Sequence, residues 1–234
     1  MLDIHSHILP KMDDGAKSTE ESLSLLRMSK EQGITTMVST SHFYADRESP
    51  ENFLRRRAHA YRKIENELGA DTPSLLFGAE VLYFYGISRS KEVRELAIGG
   101  TNLILIELPF HSWPENMIDD LLSFKYASGL DIVLAHVERY QDIQKKNVYQ
   151  QIFEYDEFYI QMNAEAFLSH RSKKLAFKLY KEGKLDFIGS DCHSTERRPP
   201  KIAEAKKVFV KKFGEQAWEE FCEQSQRILE EHKV

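Results

Sequence analysis

Cysteine is scarce in this chain: Cys192 and Cys222 are the only two among 234 residues. They are too far apart for a C-x-x-C zinc knuckle and too few for a disulfide framework, and free thiols suit a reducing compartment. Long apolar runs are missing as well, since no stretch approaches the roughly eighteen apolar residues of a membrane span. The opening MLDIHSHILP places an acid and two histidines where a secretory signal needs a basic end and an apolar run. A cytoplasmic protein without direct membrane insertion is expected. There is no excess of basic residues either: 32 Lys and Arg face 37 Asp and Glu, and the formal charge is -5. Interspersed signs argue against a nucleic-acid or anionic-membrane surface. The basic stretch NFLRRRAHAYRK, residues 52 to 63, continues into acidic IENE and reads as a solvated helical face. What the chain does have, 41% hydrophobic and 11% aromatic residues, is enough for one large α/β domain spanning residues 1–234.

Glycines at Gly33, Gly69, Gly99-Gly100, Gly129 and Gly183 mostly close a helical pattern and precede a short aliphatic run. In the first such unit Ser18 and Glu21 form a capping box, Leu23 and Leu26 share a face, and Gly33 ends the helix. Repeating this alternation predicts seven strands: Leu2 to Ile4, Ile34 to Thr40, Ser74 to Ala79, Leu103 to Ile106, Ile132 to Ala135, Phe158 to Met162 and Leu185 to Gly189. Their spacing is that of βα units in a parallel sheet.

Catalytic groups in such folds sit where strands end. Successive ends here carry His5 and His7, then His42, Glu80, Glu107, His136, Asn163, and finally Asp191 with His193. Five of nine histidines fall at these ends or just past them. Each alone has an ordinary explanation as a solvated or carbonyl-bonded side chain, but their joint placement does not. Residues i and i+2 of a strand point the same way, so His5 and His7 can reach one ion. Glu80 and Glu107 follow the apolar runs LLFGA and LILI, where an unpaired carboxylate is costly. Asp14, in MDDGAKS, joins the set or serves as a turn residue before Gly15, and Asp13 competes with it.

The stretch IGSDCHSTERRPP offers a rival chemistry, because Cys192 and Arg198 have the C-x5-R spacing of a cysteine phosphatase loop. Such a loop cradles phosphate on backbone N–H groups and wants glycines. The intervening HSTER has none, and Arg198 runs into Pro199-Pro200. Cys192 reads instead as a small buried filler. Arg139 and Arg198 lie on loops leaving donor-bearing strands and are candidates to bind phosphate oxygens bidentately, with Arg197 competing for the latter role.

Five imidazoles and four carboxylates exceed the donors that one ion takes and suggest two or three ions. With no thiolate among them, the set suits Mn, Fe or Zn better than Mg or Ca. Three divalent ions against four carboxylates leave a charge of about +2, which attracts a phosphate dianion. Clustered ions also lower the pKa of bridging water towards neutrality. A phosphomonoesterase is the chemistry this composition supports.

DIHSHILPKMDDGAKS, TSH at 40 to 42, GAE at 78 to 80, ELP at 107 to 109, AHVERY at 135 to 140 and SDCH with RPP at 190 to 200 together resemble the polymerase and histidinol phosphatase (PHP) superfamily. Within it they are similar to the manganese-dependent tyrosine-protein phosphatases of bacterial capsular and exopolysaccharide clusters. The resemblance runs the length of the chain; Cys192 departs from it locally. It implies a distorted seven-stranded (β/α)7 barrel of the PHP type with three Mn ions, Fe or Zn being alternatives. On that pattern His5, His7, Glu80 and Asp191 hold one ion. Glu80, Glu107 and His136 hold a second, and Asp14, His42 and His193 a third. Arg139 and Arg198 match phosphate-site arginines. The implied substrate is the phosphotyrosine tail of a membrane-associated bacterial tyrosine kinase. Rival expectations are a small-molecule enzyme such as histidinol phosphatase, whose relatives tend to carry histidine where Asp13-Asp14-Gly15 stands, and a non-catalytic metal-binding adaptor.

Overall fold

The computed structural model describes residues 1–234 and shows a mixed α/β protein whose parallel strands form a curled sheet. In chain order the elements are β1 (Leu2–Ser6), α1 (Thr19–Glu31), β2 (Thr36–Ser39), β3 (His42–Phe43), α2 (Pro50–Tyr61), β4 (Ser74–Phe77), β5 (Glu80–Leu82), β6 (Leu103–Glu107), α3 (Met117–Ser128), β7 (Asp131–Leu134), α4 (Lys146–Gln151), β8 (Phe158–Asn163), α5 (His170–Lys181), β9 (Phe187–Gly189), α6 (Ile202–Phe213) and α7 (Glu215–Glu231).

All the strand pairings are parallel, in the orders β1-β2-β4 and β3-β5-β6-β7-β8-β9. Two expected strands are therefore each broken in two. The run 34 to 40 yields β2 and, past a break, β3; the run 74 to 79 yields β4 and then β5. At the breaks Gly78 N–H donates to Ser39 O at 2.9 Å and Glu80 N–H to Thr40 O at 3.0 Å, so the chain jogs without leaving buried backbone unpaired. Beyond β9, Asp191 N–H donates to His5 O at 2.8 Å and His7 N–H to Cys192 O at 3.0 Å. These bonds bring the ninth strand's exit against β1.

Strand parity sets which side chains enter the sheet's interior. Along β6, Leu103 and Leu105 join a small inner cluster while Ile104 and Ile106 face the helices in the larger one. Glu107 has the parity of Leu103 and Leu105, which turns its carboxylate inward. At the opposite end Ile228 and Leu229 of α7 close the inner cluster. Polar donors are thus confined to one mouth. The helix starts behave as their sequences direct: Ser18 Oγ caps α1 by accepting from Glu21 N–H at 3.2 Å, though Glu21 returns its bond to Lys17 N–H in place of Ser18.

Candidate metal centre

Every expected donor reaches this mouth. His5, His7, Glu80, Glu107, His136, Asp191 and His193 are buried, His42 is nearly so, and Asp14 alone is largely exposed. Three groups of donor atoms converge within 4.8 Å: His7, Asp14, His42 and His193; His5, His7 and Glu80; and His42, Glu80 and Glu107. His136 Nε2 lies 2.7 Å from one Glu80 oxygen and 3.3 Å from Glu107, joining the last group through those carboxylates. Asp191 Oδ1 stands 3.7 Å from His5 Nε2 and 3.5 Å from His7 Nε2.

The backbone is bent to achieve this. His136 (φ 32°) and Asp191 (φ 49°) occupy the left-handed region that non-glycine residues avoid, and both are donors. Two glycines make room. A Cβ on Gly189 would come within 2.6 Å of His5 Cβ, and one on Gly15 within 2.2 Å of the His7 carbonyl oxygen. Neither approach is open to any other residue.

Tautomers are fixed from behind. His7 Nδ1 donates to Asp13 at 2.8 Å, and His5 Nδ1 donates to Gln161 Oε1 at 3.1 Å, since neither partner atom can donate. With both rings neutral, as metal ligands must be, their Nε2 lone pairs are thereby directed at each other across 3.1 Å. Such a contact repels unless a cation sits against it. Other buried atoms also want a positive partner: Glu80 Oε2 and His193 Nε2 make no hydrogen bond, and His42 Nδ1, 2.8 Å from Glu80 Oε2, is out of line for one. The donor set fits divalent ions. Asp13, which also accepts from Gly15 and His42 N–H, orients the site, and Asp14 faces it at 3.5 Å from His42 and 3.4 Å from His193. The sequence left these two aspartates interchangeable.

The titration behaviour points the same way. Burial alone would raise Glu80 and Asp191, yet the surrounding imidazoles hold both well below the carboxylate range. Burial would lower His136, but hydrogen bonds to Glu107 and Glu80 raise it to about 10, while burial and the nearby His7 push His193 down to about 3. The carboxylates demand positive charge, and protons on histidine meet that demand in the absence of ions.

Beside the donors, Arg139, Arg198, Asn163, Ser169 and Ser172 line a cavity of about 370 Å³ that opens on Asp191. Arg198 Nη2 donates to Asp191 Oδ2 at 2.6 Å, as does Asn163 Nδ2 at 2.7 Å, and Arg139 Nη1 lies 3.7 Å away. Arg197 is exposed and does not line this cavity. Cys192 is wholly buried, and burial raises its thiol far above the ordinary range, which leaves the C-x5-R pair without a nucleophile.

Sequence reasoning missed Phe110. It is 42% exposed, its ring 5.8 Å from that of His136 and under the Arg139 guanidinium. Its loop is pinned by Leu108 N–H to Tyr140 OH at 2.8 Å and by Trp113 Nε1 to Pro109 O at 3.1 Å. An aromatic directly after ELP, at a strand end, was the available signal.

The family described as "Capsular polysaccharide synthesis, CpsB/CapC" matches residues 1–230. The chain belongs to the CpsB/CapC family. It is 34% identical to the tyrosine-protein phosphatase CpsB of Streptococcus agalactiae serotype III, over 100% of both chains, and 28% identical to the tyrosine-protein phosphatase YwqE of Bacillus subtilis, over 100% of this chain and 93% of that one. Among solved structures, one from a study of Bacillus subtilis YwqE and Streptococcus pneumoniae CpsB, described as unique metal-dependent tyrosine phosphatases, superposes with a TM-score of 0.82 at 23% identity, covering 100% of this chain and 96% of the other. The Escherichia coli phosphotriesterase homology protein shares the fold at a TM-score of 0.53 and 11% identity, covering 93% and 94%. No helix of this CpsB/CapC member is long and apolar enough to cross a membrane.

Proposed function

We propose that this protein is a metal-dependent protein-tyrosine phosphatase whose single domain spans residues 1–234. The observation that carries the reading is the pair of facing Nε2 atoms of His5 and His7, ringed by carboxylates, beside a cavity lined by two arginines. Counting each broken strand as one stave gives seven, and the hydrogen bonds between β1 and the segment past β9 support a closed, distorted (β/α)7 barrel of the PHP type. The donor set suits three ions, with manganese favoured over iron or zinc: His5, His7, Glu80 and Asp191 at one; Glu80, Glu107 and His136 at the second; Asp14, His42 and His193 at the third.

When bound, the ions supply positive charge against the phosphoryl oxygens and lower the pKa of water for attack on phosphorus. The chain's own groups do the rest. Arg139 and Arg198 bind the remaining phosphate oxygens, and their shared neighbour Asp191 keeps both guanidinium groups oriented. Phe110 offers its face to the substrate's phenyl ring. A phenolate leaves readily, so little acid assistance is required.

Relatives bearing tyrosine phosphatase names and the family's description support the phosphotyrosine tail of a membrane-associated, capsule-related bacterial tyrosine kinase as substrate of a cytoplasmic enzyme. The test is hydrolysis of a phosphotyrosyl peptide and of histidinol phosphate before and after chelation. Peptide turnover lost on chelation and restored by manganese is expected. Turnover that survives exhaustive chelation, or a preference for histidinol phosphate, would overturn the reading.

A further inference from the structure

A second cavity, a groove of about 440 Å³ between α4 and α5, lies outside the donor cluster. Lys146, Arg171, Lys174 and Lys178 line it above an apolar floor that includes Phe153 and Leu175. Against these four cations stands one lining carboxylate, Glu182, 3.8 Å from Lys178, in a chain whose formal charge is -5. Arg171 is tied to Asp142, whereas neither Lys146 nor Lys174 is paired.

Helix stability accounts for Lys178, in the last turn of α5, but not for the cations in its first turns. The first turns of α5 carry Arg171, Lys173 and Lys174 with no acidic residue, although the positive end of a helix dipole favours acids there. These side chains lower the stability of the helix that bears them, a cost that Asp142 meets at Arg171 alone.

The groove and the arginine-lined cavity share no lining residue but draw on the same two segments: the cavity takes Arg139, Ser169 and Ser172, the groove Gln141, Arg171 and Leu175. Ser172 and Leu175 are roughly 5 Å apart along the axis of α5. An extended peptide advances about 3.3 Å per residue, so a few residues bridge the two.

We propose that the groove receives the acidic chain flanking a phosphotyrosine whose phosphate lies at Arg139 and Arg198. The inference rests on the phosphatase reading. Cations over an apolar floor match a segment of Asp or Glu interspersed with apolar side chains, and the pairing steers such a substrate to the cavity at low salt.

The test compares the manganese-loaded wild type with the double variant Lys146→Glu/Lys174→Glu. Both positions are exposed and unpaired, so the fold is preserved. Three probes are used: a labelled phosphotyrosyl peptide with Asp and Glu flanks, the same peptide with Asn and Gln flanks, and p-nitrophenyl phosphate. In the variant, KM for the acidic peptide should rise about tenfold with kcat unchanged, while the other two probes keep their wild-type constants. Equal KM values for acidic and neutral peptides with the wild type, or a matching loss with p-nitrophenyl phosphate, would overturn the proposal. Fluorescence anisotropy of the acidic peptide reads the groove without turnover. Binding weakened in the variant upholds the groove even if the phosphatase reading fails, and equal binding overturns it.

Discussion

The guanidinium carbon of Arg139 stands 4.6 Å over the ring of Phe110. On the proposed reading, one side chain carries charge for a phosphate while its neighbour holds an aromatic face for what the phosphate is attached to. Phe110→Ala should lower kcat/KM for aryl phosphates about 3- to 10-fold, mostly through KM, the size of a lost aromatic contact. Alkyl phosphates should be turned over as before. An equal loss on both substrate classes would show that Phe110 supports the loop only.

Asp13 and Asp14 are adjacent in sequence and opposite in role. Asp13→Ala removes the acceptor that fixes the His7 tautomer, and loss of such an orienting carboxylate costs roughly 10- to 100-fold in metal affinity. Competitive titration with a chelating dye checks this. Asp14→Asn, at an exposed donor, should weaken one site and leave the others intact.

Much of this was legible in the sequence because parallel strands buried on both faces read as aliphatic runs, as in LILIE and DIVL, and the donors followed them directly. The breaks near Thr40 and Gly78 were not legible. They depend on hydrogen bonds between segments that are distant in the chain, and periodicity is silent about those. That Asp13 bonds His7 from behind while Asp14 faces His42 and His193 turns on which ring nitrogen each approaches, a matter of a few ångströms that local pattern does not encode. That Arg198 and not Arg197 meets Asp191 likewise depends on a partner that is identified only once the loop has folded back.

Cys192→Ser should retain most of the turnover, because a buried thiol held far above its ordinary pKa supplies no thiolate. Steady-state rates and resistance to iodoacetamide test it. Loss of activity with full metal content would restore the thiol to the mechanism.

Asp186, half-buried, accepts from Ile160 N–H at 2.7 Å, and burial raises its pKa to about 7. A carboxyl whose folded pKa exceeds its unfolded value binds more protons when folded, so its contribution favours folding below about pH 4 to 5 and is lost as pH rises to 7. The penalty above pH 7 is of the order of 2 to 4 kcal/mol. Asp186→Asn keeps the acceptor and removes the charge. Its melting temperature should exceed the wild type's by several degrees at pH 8, and the gap should close at pH 5. A variant less stable at both pH values would refute this.

The donors at the mouth come from residues 5 to 193, spread over every strand end but one. The groups His5, His7, Glu80 and His42, Glu80, Glu107 are complete before β7 begins, whereas the group holding His193 closes only when the segment past β9 docks against β1. Of two separately synthesised pieces split in the loop after α3, the first would therefore keep donors for an ion, and full metal uptake would report reassociation with the second.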